Sequence, residues 1–145
     1  MLLKLPEIIA PHRLIKQGTY LEGYLPLAKM QRLHPAQTTA QVWVQLQFGT
    51  DAQHIHYAKG LALTEVVLTC QRCLSAMTLA LKAPIALALI EHESQEAQIP
   101  EPYESLLISD SMSLITLIED ELILALPLVA THPLDICQEP IPLND

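Results

Sequence analysis

The stretch LALTEVVLTCQRCLSAMTLALKAPIALALI, residues 61–90, decides the fold of this chain. Two apolar runs, residues 61–69 and 77–90, each have the composition of a β-strand. A Cys-x-x-Cys motif, from Cys70 to Cys73, separates them. Apolar runs joined by so short a polar segment are typical of a β-hairpin. The sequence therefore predicts two strands with the cysteines at the turn.

The two predicted strands differ in their side-chain pattern. Residues 77–90 alternate cleanly, so they have one buried and one wet face. In residues 61–69 the apolar residues change from odd-numbered positions, up to Leu63, to even-numbered positions, from Val66 onward. Since a slip of one residue moves side chains to the other face, we expect a bulge near Glu65. Pro84 cannot donate to a ladder, so we expect an edge or a bulge there.

The rest of the chain supplies further strands around this hairpin. The expected elements are a short helix over residues 25–33, strands over residues 41–48, 54–57 and 103–109, and an apolar helix over residues 114–126. Lys59-Gly60 is expected to form a turn or a bulge. We predict an α+β fold with an antiparallel sheet of about five or six strands, barrel-like closure being one option. The first helix is short, and the last is buried against the sheet or at an interface.

The chain length and composition favour one domain in a reducing compartment. A chain of 145 residues fits a single domain, residues 1–145, and the Pro-rich residues from about 128 onward are expected to be an irregular tail. The amino terminus lacks the apolar core of a signal peptide, and no stretch is long enough to cross a bilayer. The prediction is a cytoplasmic protein with no membrane contact and with reduced thiols.

Charge is distributed unevenly along the chain. Residues 1–34 carry a net charge of +3 and residues 35–145 a net charge of −11, within a total of −8. The excess of acid disfavours a general nucleic-acid binder, since phosphate contacts depend on Lys and Arg. The asymmetry suggests a partner for one end, and the alternative is an ordinary solvated surface.

The cysteines allow several interpretations. A structural zinc site needs about four N or S ligands, and Cys70, Cys73, His132 and Cys137 are the candidate set. Such a site would tie the tail to the hairpin. A redox site is disfavoured because strands, not a helix, are predicted to flank the motif. Two further interpretations are ordinary, partly buried thiols near a turn and a simple disulfide.

Other titratable groups give weaker signals. His54 and His56 share one side of a predicted strand, and a solvated face is the favoured interpretation. Glu119, Asp120 and Glu121 fan out around a helix, so we expect a solvated stripe or an acidic patch for a basic partner. No Gly-rich phosphate loop or Gly-x-Ser-x-Gly context is present. The sequence predicts no catalytic residues and no small-molecule substrate.

Two blocks of sequence together resemble a known family. The first is Leu68-Thr69-Cys70-Gln71-Arg72-Cys73, and the second runs from Ile118-Glu119-Asp120-Glu121 to Pro127, followed by His132 and Cys137. Pro102-Tyr103-Glu104, before the helix, also fits. The combination is similar to the YceD family, described as large ribosomal RNA subunit accumulation proteins. The likeness covers roughly residues 60–137, and relatives tend to continue past the last cysteine further than this chain does.

The resemblance implies a bacterial, non-enzymatic ribosome-biogenesis factor that supports accumulation or processing of large-subunit (23S) ribosomal RNA. The expected partner is a ribosome-assembly protein or a pre-ribosomal ribonucleoprotein, bound through the basic first third or the Glu119–Glu121 face; direct RNA contact is left open. Two alternatives come from other classes: a Cys-x-x-Cys redox protein, and a metal-stabilised interaction module unrelated to RNA.

Overall fold

A computed structural model of the chain describes residues 4–33 and 40–126. It contains seven strands and two α-helices in these ranges. In chain order they are β1 (Ile8–Ile9), α1 (Pro11–Gln17), β2 (Tyr20–Pro26), β3 (Gln41–Thr50), β4 (His56–Thr69), β5 (Ala76–Ile90), β6 (Glu104–Leu107), β7 (Met112–Ser113) and α2 (Leu114–Leu124). Short 3₁₀ helices cover Leu27–Lys29 and Glu93–Gln98.

The main sheet has five strands in the order β2-β3-β4-β5-β6. The first three neighbouring pairs are antiparallel, whereas β5 and β6 run parallel. The predicted α+β class is confirmed, but the purely antiparallel sheet and its barrel-like closure are wrong, because the sheet is mixed and open. Residues 91–103 carry the chain from the end of β5 back to the level of Leu87, where β6 begins to pair. Because the chain returns to this point before β6 starts, β6 runs in the same direction as β5. A separate two-stranded sheet joins β1 to β7.

The β4–β5 hairpin is the longest feature of the sheet, and its register is continuous from Tyr57–Ala88 to Thr69–Ala76. The predicted bulge near Glu65 is therefore wrong. Even-numbered residues of β4 face the core, so Ala62 and Val66 are fully buried while Leu63 is exposed. The positions of the larger apolar residues gave a wrong prediction, because β4 buries the small Ala62 and leaves Leu63 exposed.

Gly60 marks a close approach between β3 and β4. It lies inside β4, opposite Leu46 of β3 and Ile85 of β5, and is neither a turn nor a bulge. A Cβ atom on Gly60 would lie 1.7 Å from the backbone oxygen of Gln45. The backbones approach too closely for any side chain, which is a recognised use of glycine in a strand.

The hairpin extends beyond its neighbours. β3 accompanies β4 only as far as Leu63, and β6 begins to pair with β5 only at Leu87. Residues 64–69 and 76–81 thus form a two-stranded ribbon with the cysteine turn at its tip. Pro84 lies where β5 has one partner strand among the described residues, so the predicted edge position is confirmed.

The predicted helix over residues 25–33 is wrong, and an unpredicted α-helix lies earlier in the chain. Residues 25–33 hold the end of β2 and only a 3₁₀ turn, while the α-helix covers Pro11–Gln17. Pro11 begins this helix, and Gly18 ends it at φ 61 with its N–H bonded to the Leu14 and Ile15 carbonyls. Both are standard helix-boundary signals, and they outweighed the weak periodicity of the segment.

The carboxyl-terminal helix forms where the sequence predicts it. Ser113 caps α2 by accepting a hydrogen bond from the Thr116 N–H at 3.0 Å. Leu114, Ile118 and Leu122 are fully buried and belong to the same core as the inner face of the sheet. Neither α-helix of the described ranges has the length and apolar character that a membrane-spanning helix needs. The predicted tail, from about residue 128, lies outside the described residues.

Candidate functional site

The Cys-x-x-Cys turn closes the tip of the β4–β5 ribbon. The Cys70 N–H donates to the Ser75 carbonyl at 2.9 Å, and the Leu74 N–H donates to the Cys70 carbonyl at 2.8 Å. Cys70 is fully buried, whereas Cys73 is partly exposed, with its Sγ 3.0 Å from the Ser75 hydroxyl oxygen. The two thiols of one motif therefore have different environments.

Leu74 is the strained residue of this turn. Its φ is 63°, in the left-handed region, and its side chain is 73% exposed. A leucine pays about 1–2 kcal/mol for this conformation. Leu74 lies directly after Cys73, so the strain is located next to the motif.

The zinc hypothesis places two of its four ligands in this turn. Cys70 and Cys73 share one turn, and two thiolates at this spacing suit half of a tetrahedral zinc site. The predicted partners His132 and Cys137 lie outside the described residues. Within residues 4–33 and 40–126, no group of three or more metal-ligating side chains occurs. The zinc site therefore stays a prediction, with two of its four ligands among the described residues.

The redox hypothesis has less support from the geometry. The residues after Cys73 form β5, so the motif opens a strand and not a helix. A helix amino end is what lowers the pKa of the first thiol in such redox sites. The Cys70 side chain is also fully buried, which restricts access of a substrate disulfide.

A second cluster joins a basic residue of the positively charged first third to two acidic residues of α2. Glu119 of α2 is 5% exposed, and its Oε2 accepts hydrogen bonds from the Arg32 and Leu33 backbone N–H groups at 2.8 and 3.0 Å. Its Oε1 lies 3.2 Å from both Nε and Nη2 of Arg32. Arg32 Nη2 also donates to Asp120 Oδ1 at 2.6 Å. The carboxylates of Asp120 and Glu119 raise the pKa of the Arg32 guanidinium.

This cluster corrects the predicted acidic stripe. Glu119 does not belong to a solvated surface, because it is buried and fixes the turn at residues 30–33. The sequence contained a signal that could have found it. Glu119 follows Ile115 by four positions and precedes Leu122 by three, and both are buried. Helical spacing places these three side chains on one face.

The other two carboxylates of the predicted patch line a groove between α2 and β6. The groove has a volume of about 430 Å³, and its acidic side chains are Glu104, Asp120 and Glu121. Burial raises the pKa of Glu121, and the nearby negative charges of Glu104 and Asp120 raise it further. Arg32 lies in the same lining.

The histidines lie near a different cavity. His54 and His56 are exposed, as predicted, and they line a space of about 470 Å³ beside the loop of residues 91–103. They do not share a strand, because His54 lies in the turn at φ 67 and β4 begins at His56. His56 Nδ1 lies 2.9 Å from the Thr50 hydroxyl. This arrangement brings no third ligand to the pair among the described residues.

Comparison with known proteins decides the family. The model of the family described as "Large ribosomal RNA subunit accumulation protein YceD" matches residues 58–144, more than half of the chain. The chain belongs to the YceD family. Its match begins in β4 and includes the cysteine turn and α2.

A curated YceD protein is similar over nearly the whole chain. It is the "Large ribosomal RNA subunit accumulation protein YceD" of Haemophilus influenzae, 30% identical over 139 residues. The alignment covers 93% of this chain and 80% of that relative. No solved structure matches this chain. The predicted family membership is therefore confirmed. The similarity to this relative also reaches into the first sixty residues, because the alignment covers 93% of the chain.

Proposed function

We propose that this protein is a non-enzymatic ribosome-biogenesis factor. It supports the accumulation or processing of large-subunit (23S) ribosomal RNA in the bacterial cytoplasm by binding a protein or ribonucleoprotein partner. The observation that carries the proposal is the similarity, over 93% of the chain, to a relative named for accumulation of this RNA. The name describes an outcome for the RNA, and the binding mechanism is our own inference.

The roles of the polar side chains favour binding over catalysis. Glu119 is occupied by four hydrogen bonds from Arg32 and Leu33. Cys70 is buried at the hairpin tip. A catalytic carboxylate or thiol must instead reach its substrate directly. These two groups act on the protein's own structure, which suits a factor that presents a fixed surface.

We infer that the basic first third contributes less to the partner surface than the acidic face of α2. Lys29 pairs with Glu7 at 2.6 Å, and Arg32 pairs with Glu119 and Asp120. Two of the five basic side chains of residues 1–34 are therefore bound to carboxylates of the same chain. The net charge of −8 favours a basic protein over bare RNA, whose phosphates this charge repels.

The proposal is tested by measuring ribosomal RNA in cells with and without the gene. Precursor and mature large-subunit RNA are quantified at several growth temperatures, with small-subunit RNA as the internal reference. We expect a lower ratio of large to small subunit RNA without the gene, restored by the wild-type protein from a plasmid. Equal ratios under all conditions would remove the proposal.

A structural zinc ion remains a separate proposal. Cys70 and Cys73 would supply two thiolates, with His132 and Cys137 as the other ligands. Bound zinc would contribute stability and no chemistry. Apparent binding energies of structural zinc reach about 10–16 kcal/mol in small domains, so its loss would be measurable in the folded fraction.

A further inference from the structure

The groove between β6 and α2 combines an excess of negative charge with exposed apolar side chains. Glu104 of β6 and Asp120 and Glu121 of α2 line it, and Arg32 is the one cation of the lining among residues 4–33 and 40–126. Arg32 is already bonded to Glu119 and Asp120. The groove thus holds more carboxylate than its own arginine neutralises.

The like charges in the groove are crowded. Burial and the neighbouring Glu104 and Asp120 raise the pKa of Glu121, which means that ionising Glu121 is costly in the folded protein. A cation placed between these carboxylates would relieve the repulsion. The groove is therefore complementary to a positively charged ligand.

Apolar side chains adjoin the carboxylates. Leu124, one helical turn after Asp120, is 70% exposed and lines the groove. Leu106 and Ile123 are partly buried members of the same lining. Such a mixture favours a ligand that carries both apolar and charged groups, since an exposed leucine gains by being covered.

The strand at this groove has an open side. β6 is the last strand of the main sheet and pairs with β5 alone within residues 4–33 and 40–126. The second edge of a terminal strand presents backbone N–H and C=O groups, and extended segments of other chains add to such edges. An extended ligand would alternate side chains between the two faces.

We propose that the groove docks an extended basic segment of a partner protein, in which the side chains that face the groove, one at every second residue, include both Lys or Arg and apolar residues. Its cations lie against Glu104 and Glu121, and its apolar side chains cover Leu124. The inference rests on the proposed function, for which it names the partner chemistry: a basic polypeptide arm of a ribosomal or assembly protein. A second copy of this chain is a less complementary occupant, because its net charge of −8 is repelled by the same carboxylates. RNA is disfavoured because three carboxylates face the site.

The test uses purified full-length protein and a synthetic peptide. The probe is a short peptide in which every second residue is in turn lysine and valine, with threonine at the positions between, labelled for fluorescence anisotropy, and a peptide with glutamate in place of lysine is the ligand control. The variant is Glu104→Gln combined with Glu121→Gln. The matched control is Glu93→Gln combined with Glu96→Gln, which removes the same charge at exposed positions of the 3₁₀ segment.

We expect the basic peptide to bind the wild type in a salt-dependent way, and the glutamate peptide not to bind. The groove variant should weaken binding about tenfold or more, which corresponds to about 1.4 kcal/mol, and the matched control by less than about twofold. Leu124→Ser should weaken it as well, with an unchanged circular dichroism spectrum. Equal weakening by both charge variants would overturn the inference. So would single-stranded RNA binding more tightly than the peptide, or a dimer that Leu124→Ser dissociates.

Complementation separates this inference from the proposed function. In cells that lack the gene, the groove variant should restore large-subunit RNA less well than the matched control. If the groove variant restores it fully, the groove inference fails and the proposed function stands. If deletion has no effect on the RNA, the proposed function fails, and the peptide measurement alone then decides the groove.

Discussion

The Glu119 carboxylate accepts a hydrogen bond from the Leu33 backbone N–H at 3.0 Å, across 86 positions of sequence. Through Arg32, the same carboxylate also neutralises a cation of the basic first third. The bond joins α2 to the turn that follows β2. It therefore connects the two oppositely charged parts of the chain within one core.

Removing this carboxylate should destabilise the fold. Glu119→Ala leaves the Arg32 and Leu33 N–H groups without their acceptor, and we expect a loss of about 2–4 kcal/mol in the free energy of unfolding. Glu119→Gln keeps one oxygen acceptor and should lose less. Asp120→Asn, at a half-exposed neighbour, is the control and should lose least. Urea denaturation measures all three, and equal losses for Glu119→Ala and Asp120→Asn would contradict the structural role.

Gly60 should tolerate no side chain. Gly60→Ala places a Cβ atom 1.7 Å from the Gln45 oxygen, so β3 and β4 must separate locally. We expect a loss of about 3 kcal/mol or more, at or above the upper end for overpacking. Gly18→Ala is a useful comparison, because its Cβ meets nothing within 4 Å and only its φ of 61° opposes it. That variant should lose about 1–2 kcal/mol. The order of the two denaturation midpoints checks the prediction.

Leu74→Gly should remove strain without removing a buried contact. Leu74 has a φ of 63° and an exposed side chain, so glycine relieves the conformational penalty and loses little burial. The gain is offset by the greater freedom of glycine in the unfolded chain, and we expect a net stabilisation of up to about 1 kcal/mol. Leu74→Ala, which retains the strain, should show no such gain. A stabilisation of equal size in both variants would argue against the strain.

Glu121→Gln should stabilise the protein at neutral pH. The pKa of Glu121 is raised above its ordinary value of 4.5 in the folded state, so ionisation costs the folded protein more than the unfolded chain. This penalty is fully present above the raised pKa and disappears as the pH falls below 4.5. The stability difference between variant and wild type should shrink over that interval. Thermal unfolding at a series of pH values measures it, and a difference independent of pH would contradict the burial and repulsion around Glu121.

Zinc should accompany the protein if the cysteine turn binds metal. Elemental analysis of protein purified without chelator should give about one zinc ion per chain, the stoichiometry of a single tetrahedral site. Cys73→Ser and Cys137→Ser should each abolish it, whereas Ser75→Ala should retain it. Zinc well below one per chain in the wild type would remove the hypothesis. Retention of zinc in Cys137→Ser would remove Cys137 from the ligand set.

Local patterns in the sequence were sufficient for most of the elements. Alternation predicted β5, the apolar run of residues 61–69 predicted the second half of β4, and helical spacing predicted α2 to within two residues at its carboxyl end. The Cys-x-x-Cys motif lies at the hairpin turn, as predicted. The helix α1 was not predicted, although Pro11 and Gly18 are local signals for its two ends. These features depend on interactions between residues that are close in sequence, so local sequence patterns are enough to predict them.

Tertiary structure decided which face of β4 is buried, the direction of β6 and the role of Glu119. The pairing of β4 with β3 and β5 buries Ala62 and Val66 and leaves Leu63 exposed, which reverses the parity that Leu61 and Leu63 suggest. Glu119 was assigned to a solvated stripe because helical spacing shows which residues share a face but not what that face meets. Its partners, Arg32 and Leu33, come from the other end of the chain, and only folding brings them to the carboxylate.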